Sequence, residues 1–140
     1  MASAAVLYTP EVLGLATSLA RWPWDAQLDF QGEARSSTCG STVAVGLSLG
    51  LDGRIERVGL RVHACAIGQA AAAIFAGAVY GLDRAALKIA EQSILRWLND
   101  NALPANWPQL TLIAEARNYP ARHGAILLPW KAALAVLPTG

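Results

Sequence analysis

From Ala26 to Arg35 small or apolar residues alternate strictly with polar ones: Ala26, Leu28, Phe30, Gly32 and Ala34 against Gln27, Asp29, Gln31, Glu33 and Arg35. Successive side chains of a strand point to opposite faces, so this period predicts a half-buried β-strand over 26–34. A second run sets Val43, Val45, Leu47, Leu49 and Leu51 against Thr42, Ala44, Gly46, Ser48 and Gly50, and a third sets Val58, Leu60 and Val62 against Arg57, Gly59, Arg61 and His63. Asp52-Gly53 between them predicts a two-residue turn with positive φ. Such turns join only antiparallel neighbours, so the strands are expected to form a three-stranded antiparallel meander.

On either side of this sheet the period becomes helical. Thr9-Pro10-Glu11 has the chemistry of a helix start: a hydroxyl for the first-turn amides, a proline where no N–H is needed and an acid at the positive end of the dipole. Val12, Leu15, Ala16 and Leu19 share a face, and the helix is expected to stop near Trp22-Pro23. Ala64 to Tyr80, almost wholly apolar and rich in alanine, predicts a buried helix able to approach the sheet closely. Asp83 is expected to cap a helix with Leu87, Ala90, Ile94 and Leu98 inward and Arg84, Lys88, Gln92 and Asn99 outward. Asn99 to Pro108 reads as a loop, Gln109 to about Ala116 as a short helix, and Asn118 to Gly124 as an irregular connection. The last helix, within Ala125 to Leu137, is expected to begin close before Pro129, because an interior proline clashes with the preceding turn. Strands followed by helices indicate a two-layer α+β fold, a three-stranded antiparallel sheet with helices packed on one face, in a single domain over residues 1–140.

A hydrophobic content of 54% in 140 residues is ample for one core. A net charge of +1 with 15% charged residues offers no broad basic surface, so no nucleic-acid partner is expected. The N-terminal stretch has no basic leader and carries Glu11, which reads as a folded helix rather than a signal peptide. Ala64 to Tyr80 holds Gln69 and falls short of the ~20 residues that cross a bilayer, so no membrane association is expected. The expected compartment is the cytoplasm, where free thiols persist and disulfides are rare. No glycine-rich phosphate loop, acidic pair or nucleotide motif is present. Trp22, Trp24, Trp107 and Trp130 read as packing residues, since no basic groove accompanies them.

The candidate chemistry lies in two cysteines. Cys39 sits in the turn-like Ser37-Thr38-Cys39-Gly40-Ser41, and Cys65 sits where the third strand gives way to a helix, against unpaired N–H groups that favour a thiolate. A hairpin between them brings both sulfurs to one edge of the sheet. Structural zinc takes four ligands, usually Cys and His, and an Fe–S cluster takes four protein ligands or external thiols in their place. Cys39, Cys65, His63 and His123 make a countable Cys2His2 set; two chains giving two thiolates each across a symmetric dimer is the alternative. The plainer readings are inert thiols, an exposed His63 beside Arg61, a solvated His123 and a Ser41 that shapes the turn. A thiol transferase with a histidine base ranks last, so an enzyme is not expected.

Three stretches carry a resemblance. Thr38-Cys39-Gly40 resembles the Cys-Gly-Asp turn of the U-type iron–sulfur cluster assembly scaffolds, IscU, SufU and the N-terminal domain of NifU. Leu51-Asp52-Gly53-Arg54-Ile55 through to Cys65, with its small-residue helix, resembles that family's hairpin leading to its second cysteine. Tyr119-Pro120-Ala121-Arg122, continuing to Trp130-Lys131-Ala132, is similar to the SufU Pro-Ala-Arg stretch and its following Trp-Lys-Ala. With Tyr8 and the first helix, the likeness covers most of the chain. It implies a scaffold that binds iron, an Fe–S intermediate or zinc through Cys39 and Cys65, with His123, His63 and Ser41 as further candidates. A cysteine desulfurase would supply sulfur, with Cys65 the better acceptor, and acceptor proteins or a chaperone would take the cargo from a monomer or homodimer. The family's aspartate ligand falls on Ser41 and its third cysteine on Ala125, preceded by Gly124. Half the ligand set is absent, and the alternative is a metal-free adaptor or regulator in the same pathway with no cofactor.

Overall fold

The computed structural model describes residues 7–100 and 106–139. Helix α1 (Pro10–Thr17) tightens into a 3-10 turn (Ser18–Arg21), and strands β1 (Phe30–Arg35), β2 (Thr42–Leu49) and β3 (Ile55–His63) follow. Helices α2 (Ala66–Ala78) and α3 (Arg84–Asp100), a 3-10 segment (Leu110–Asn118) and α4 (Pro120–Val136) complete it. The sheet has the order β1-β2-β3 with both pairings antiparallel. The α+β architecture read from the periodicities is the one observed. Among the described residues no helix is long and apolar enough to cross a membrane.

Two caps behave as their residue types require. Thr9 Oγ1 accepts from the Val12 N–H at 3.2 Å, and Asp83 Oδ1 accepts from the Ala86 N–H at 2.9 Å, each satisfying a donor that has no partner within its helix. The inward face of α3 holds Leu87, Ile94 and Leu98 as expected, and also Trp97.

The first strand is shorter than its alternation suggests. Residues 26–29 form a turn, in which Asp25 Oδ1 accepts from the Gln27 N–H at 2.9 Å and Gln31 Nε2 donates to the Ala26 and Leu28 carbonyls. This segment instead crosses the sheet face opposite the helices. Gly46 and Gly59 are register partners there, and a Cβ on them would lie 3.0 Å from Leu28 Cδ1 and 2.8 Å from the Pro23 carbonyl oxygen respectively. Two side-chain-free positions make the trough that the crossing segment occupies.

The β2–β3 turn also differs. The Gly53 N–H bonds the Gly50 carbonyl at 3.0 Å and the Gly50 N–H bonds the Arg54 carbonyl at 2.8 Å; Gly53 has φ +79° while Asp52 does not enter the left-handed region. This is a longer turn closed by a glycine, accompanied by a register shift at Ser48/Leu49, and it swings Leu51 into solvent, out of the strand where its period had placed it.

The helical half carries a larger correction. Residues 120–124 are not an irregular connection: α4 begins at Pro120, which takes the N1 position, with the Arg122 N–H bonded to the Tyr119 carbonyl at 2.8 Å. Pro129 is therefore interior and gives no N–H to the Ala125 carbonyl. The helix persists because Ile126, Leu127, Leu128, Trp130 and Ala133 are all buried, so tertiary packing outweighs the local cost. Trp130 meets Phe75 and Trp107 edge to face, with centroids 5.4 Å and 5.1 Å away, and Trp107 Nε1 donates to the Ile74 carbonyl at 2.9 Å. Helix α3 takes Asn99 and Asp100 from the expected loop, whose residues 101–105 lie outside the described residues. The short helix expected at 109–116 is a 3-10 segment kinked at Ile113.

Candidate functional site

The Cys39 turn is closed by its own backbone. The Ser36 N–H bonds the Ser41 carbonyl at 2.9 Å and the Gly40 N–H bonds the Ser36 carbonyl at 3.1 Å, with Gly40 at φ +70°. Among the described residues Ser36 and Ser41 are the buried polar side chains, each 5% exposed, whereas Cys39 is exposed. Thr38 Oγ1 donates to the Ala121 carbonyl at 3.1 Å and lies 3.0 Å from Ser36 Oγ. A threonine hydroxyl has one proton, and the carbonyl takes it, so the single Ser36 proton is shared between Thr38 Oγ1 and the Cys39 sulfur. The turn is thereby fastened to the first turn of α4. Gly124 completes the fit: a Cβ there would lie 2.9 Å from Ser36 Oγ.

Cys39 Sγ lies 3.1 Å from Ser41 Oγ. Burial pushes the Cys39 thiol up, but hydrogen bonds from the Ser36 and Ser41 hydroxyls, a backbone bond from Ser41 and the nearby Arg122 guanidinium outweigh it, leaving its pKa below the ordinary thiol value. Donors to sulfur and a neighbouring cation both favour the anion, so this exposed sulfur is biased to thiolate, the form that ligates metals and attacks electrophiles.

Cys65 is the N-cap of α2 and half-buried. Its side chain makes no capping bond, while the Gln69 N–H bonds its carbonyl at 2.9 Å and Gln69 Nε2 donates to the Ala64 carbonyl at 2.9 Å. Thr42 and His63 are register partners. The Cys39 turn, entering β2, and Cys65, following β3, are therefore carried to the same end of the sheet. The third element arrives there through α4: Thr38 bonds Ala121, and a Cβ on Gly68, in the first turn of α2, would lie 3.6 Å from Ala125 Cβ.

Four of the candidate positions thus converge on one rim: 39, 41, 65 and 125. Position 125 is a fully buried alanine, and Ser41 spends its hydroxyl on Cys39. His123 Nε2 donates to the Arg117 carbonyl at 2.9 Å, which leaves only Nδ1 for another partner. His63 is exposed at the end of β3. Among the described residues, no group of three or more His, Cys, Asp or Glu side chains is placed to hold a metal ion. Ser36 was not singled out from residue type, and Thr38 and Arg122 entered only through the resemblance, not as neighbours of the Cys39 sulfur. The signal for the hydroxyls was the run Ser36-Ser37-Thr38-Cys39-Gly40-Ser41, too rich in hydroxyls for an ordinary turn.

A three-stranded antiparallel meander, backed by helices and carrying two cysteines to one end of the sheet, defines the α+β fold that the sequence resemblance implies. Comparison with solved structures bears this out. The N-terminal part of a nitrogen-fixing NifU-like protein from Brucella abortus matches with a TM-score of 0.81 and 30% identity over 92% of this chain and 90% of that one. A putative iron–sulfur cluster assembly scaffold protein for the SUF system from thermophilic Fervidobacterium islandicum AW-1 matches with a TM-score of 0.81 and 18% identity, over 97% of this chain and 100% of that one. A hypothetical protein of the same fold matches with a TM-score of 0.66 and 17% identity, over 89% and 94% of the two chains. No protein-family model and no curated protein sequence matches the chain. The chain belongs to the family of NifU-like N-terminal domains and shares its fold with the SUF-system protein.

Proposed function

We propose that this protein is a single-domain scaffold-type carrier of iron–sulfur cluster assembly, which holds iron, an Fe–S intermediate or zinc on the Cys39 and Cys65 thiolates and passes it on. The observation that supports this reading most is an exposed Cys39 sulfur held among hydroxyl donors beside Arg122, at the sheet end that also carries Cys65. Two thiolates leave a tetrahedral ion or a cluster short of ligands. The cargo is accordingly a transient one, completed by His123 Nδ1 or His63, by external thiols or by a second chain. Such a carrier performs no turnover chemistry of its own. A cysteine desulfurase and Fe–S acceptor proteins or a chaperone are its partners, and the cytoplasm is its compartment.

A specific observation favours a second reading. Ala125 is buried at the position of the family's third cysteine, and no three-ligand group is formed among the described residues; a metal-free adaptor in the same pathway needs neither. Purification without oxygen, followed by metal analysis and visible absorption, separates the two. Bound iron or zinc that is lost in Cys39→Ser and Cys65→Ser supports the carrier, whereas metal content that both variants leave unchanged overturns it.

A further inference from the structure

The groove beside α1 holds two charges that find no partner within the described chain. Glu11, Gly14 and Ser18 lie along one side of α1, and Arg21 ends the 3-10 turn that continues it; together they form one wall of an open groove of about 480 Å³. Gly77 of α2 and Leu112 of the 3-10 segment also line it. A Cβ at Gly14 or Gly77 would meet nothing within 4 Å, so both glycines leave backbone open to close approach. Leu112 is 39% exposed, and Leu13, on the neighbouring face of α1, is 49% exposed. Neither Glu11 nor Arg21 joins any ion pair among the described residues.

The order of these residues selects an occupant. Glu11 and Arg21 stand equally far on either side of Ala16, and so do Gly14 and Ser18. Reversing the segment exchanges acid for base and one small residue for another, which is the self-complementarity that a two-fold interface requires. We propose that this groove is an interface between two copies of the chain, with their α1 segments antiparallel about a two-fold axis at Ala16. Glu11 then meets Arg21 of the partner subunit, and the reciprocal pair forms on the other side. Gly14 and Ser18 admit close approach at the crossing. One helix face in one groove is smaller than a standard stable interface, so the association is weak, and its rim charges make it sensitive to salt. The inference does not draw on the cysteines, so its fate and that of the carrier reading are separable.

Sedimentation velocity on the full chain across a concentration series, at low and high salt, tests it. The wild type is expected to shift towards dimer as concentration rises, less so at high salt. Glu11→Arg and Arg21→Glu each bring like charges together and are expected to weaken association by about tenfold or more. An equimolar mixture of the two variants restores opposite charges at both contacts and is expected to dimerise as the wild type does, which also shows that both variants fold. A wild type that is monomeric throughout, single variants that dimerise undiminished, or a mixture that stays monomeric would each overturn the proposal.

Discussion

A sulfur atom accepts hydrogen bonds well only as an anion, which is why the surroundings of Cys39 have consequences beyond packing. Burial opposes ionisation there, and the Ser36 and Ser41 hydroxyls, the Ser41 backbone and Arg122 together outweigh it. The sign follows directly: with its pKa lowered, Cys39 becomes reactive at a lower pH in the folded chain than in the unfolded one. Removing Ser41 Oγ, 3.1 Å from the sulfur, should move that onset upward. Alkylation of Cys39 followed over pH by mass spectrometry, with Cys65→Ser as background, should show Ser41→Ala shifted to higher pH; an unshifted profile would mean that this hydroxyl does not act on the sulfur. Both cysteines stood out from residue type alone. The activation did not, because its donors are ordinary turn residues whose proximity to sulfur appears only once the turn folds and docks on α4. Sequence reasoning placed the better nucleophile at Cys65 through its helix start, whereas the donors found in the structure surround Cys39.

Elements are held together here by what is missing from them. Gly32 of β1 faces α4, and a Cβ there would fall well inside contact distance of the Ala132 carbonyl oxygen, with Val136 Cγ1 at 3.0 Å. Backbone cannot retreat as a side chain can, so Gly32→Ala should force α4 from the sheet and destabilise the protein by about 1–3 kcal/mol, read from the urea midpoint. Asp83→Ala removes the cap of α3, whose Oδ1 accepts from the Ala86 N–H at 2.9 Å, and should cost about 1 kcal/mol in the same assay. An unchanged midpoint in either variant would contradict the packing described. At this scale the strands and helix starts were readable, since period two, Thr9-Pro10 and Asp83 are local signals. The start of α4 was not. Pro120 and Pro129 compete locally as sites where a helix can begin, and long-range burial of Trp130 and its neighbours decides for Pro120. The crossing of 22–28 was hidden for the same reason, because residues 26–29 carry a strand's alternation but lie over glycines distant in sequence.

At the scale of the whole molecule, the meander and α4 bring positions 39, 41, 65 and 125 to one rim, the four positions at which the resemblance implies ligands. The family was legible because spaced motifs survive substitution; whether two thiolates suffice is a property of assembled geometry. Restoring the ligands is therefore informative. Ser41→Asp combined with Ala125→Cys should raise zinc retention to about one ion per chain after dialysis, at a stability cost of about 1–3 kcal/mol for the added atoms in a packed site; unchanged retention would mean that the rim does not bring the four positions within ligating reach. The most direct test of the account is a cobalt(II) titration of the unmodified chain without oxygen, following the thiolate-to-metal absorption in the near ultraviolet. If Cys39 and Cys65 act as one site, the band appears in the wild type and falls in both Cys39→Ser and Cys65→Ser. A wild type without the band, or a band that either variant leaves intact, would contradict the claim that the two sulfurs work together.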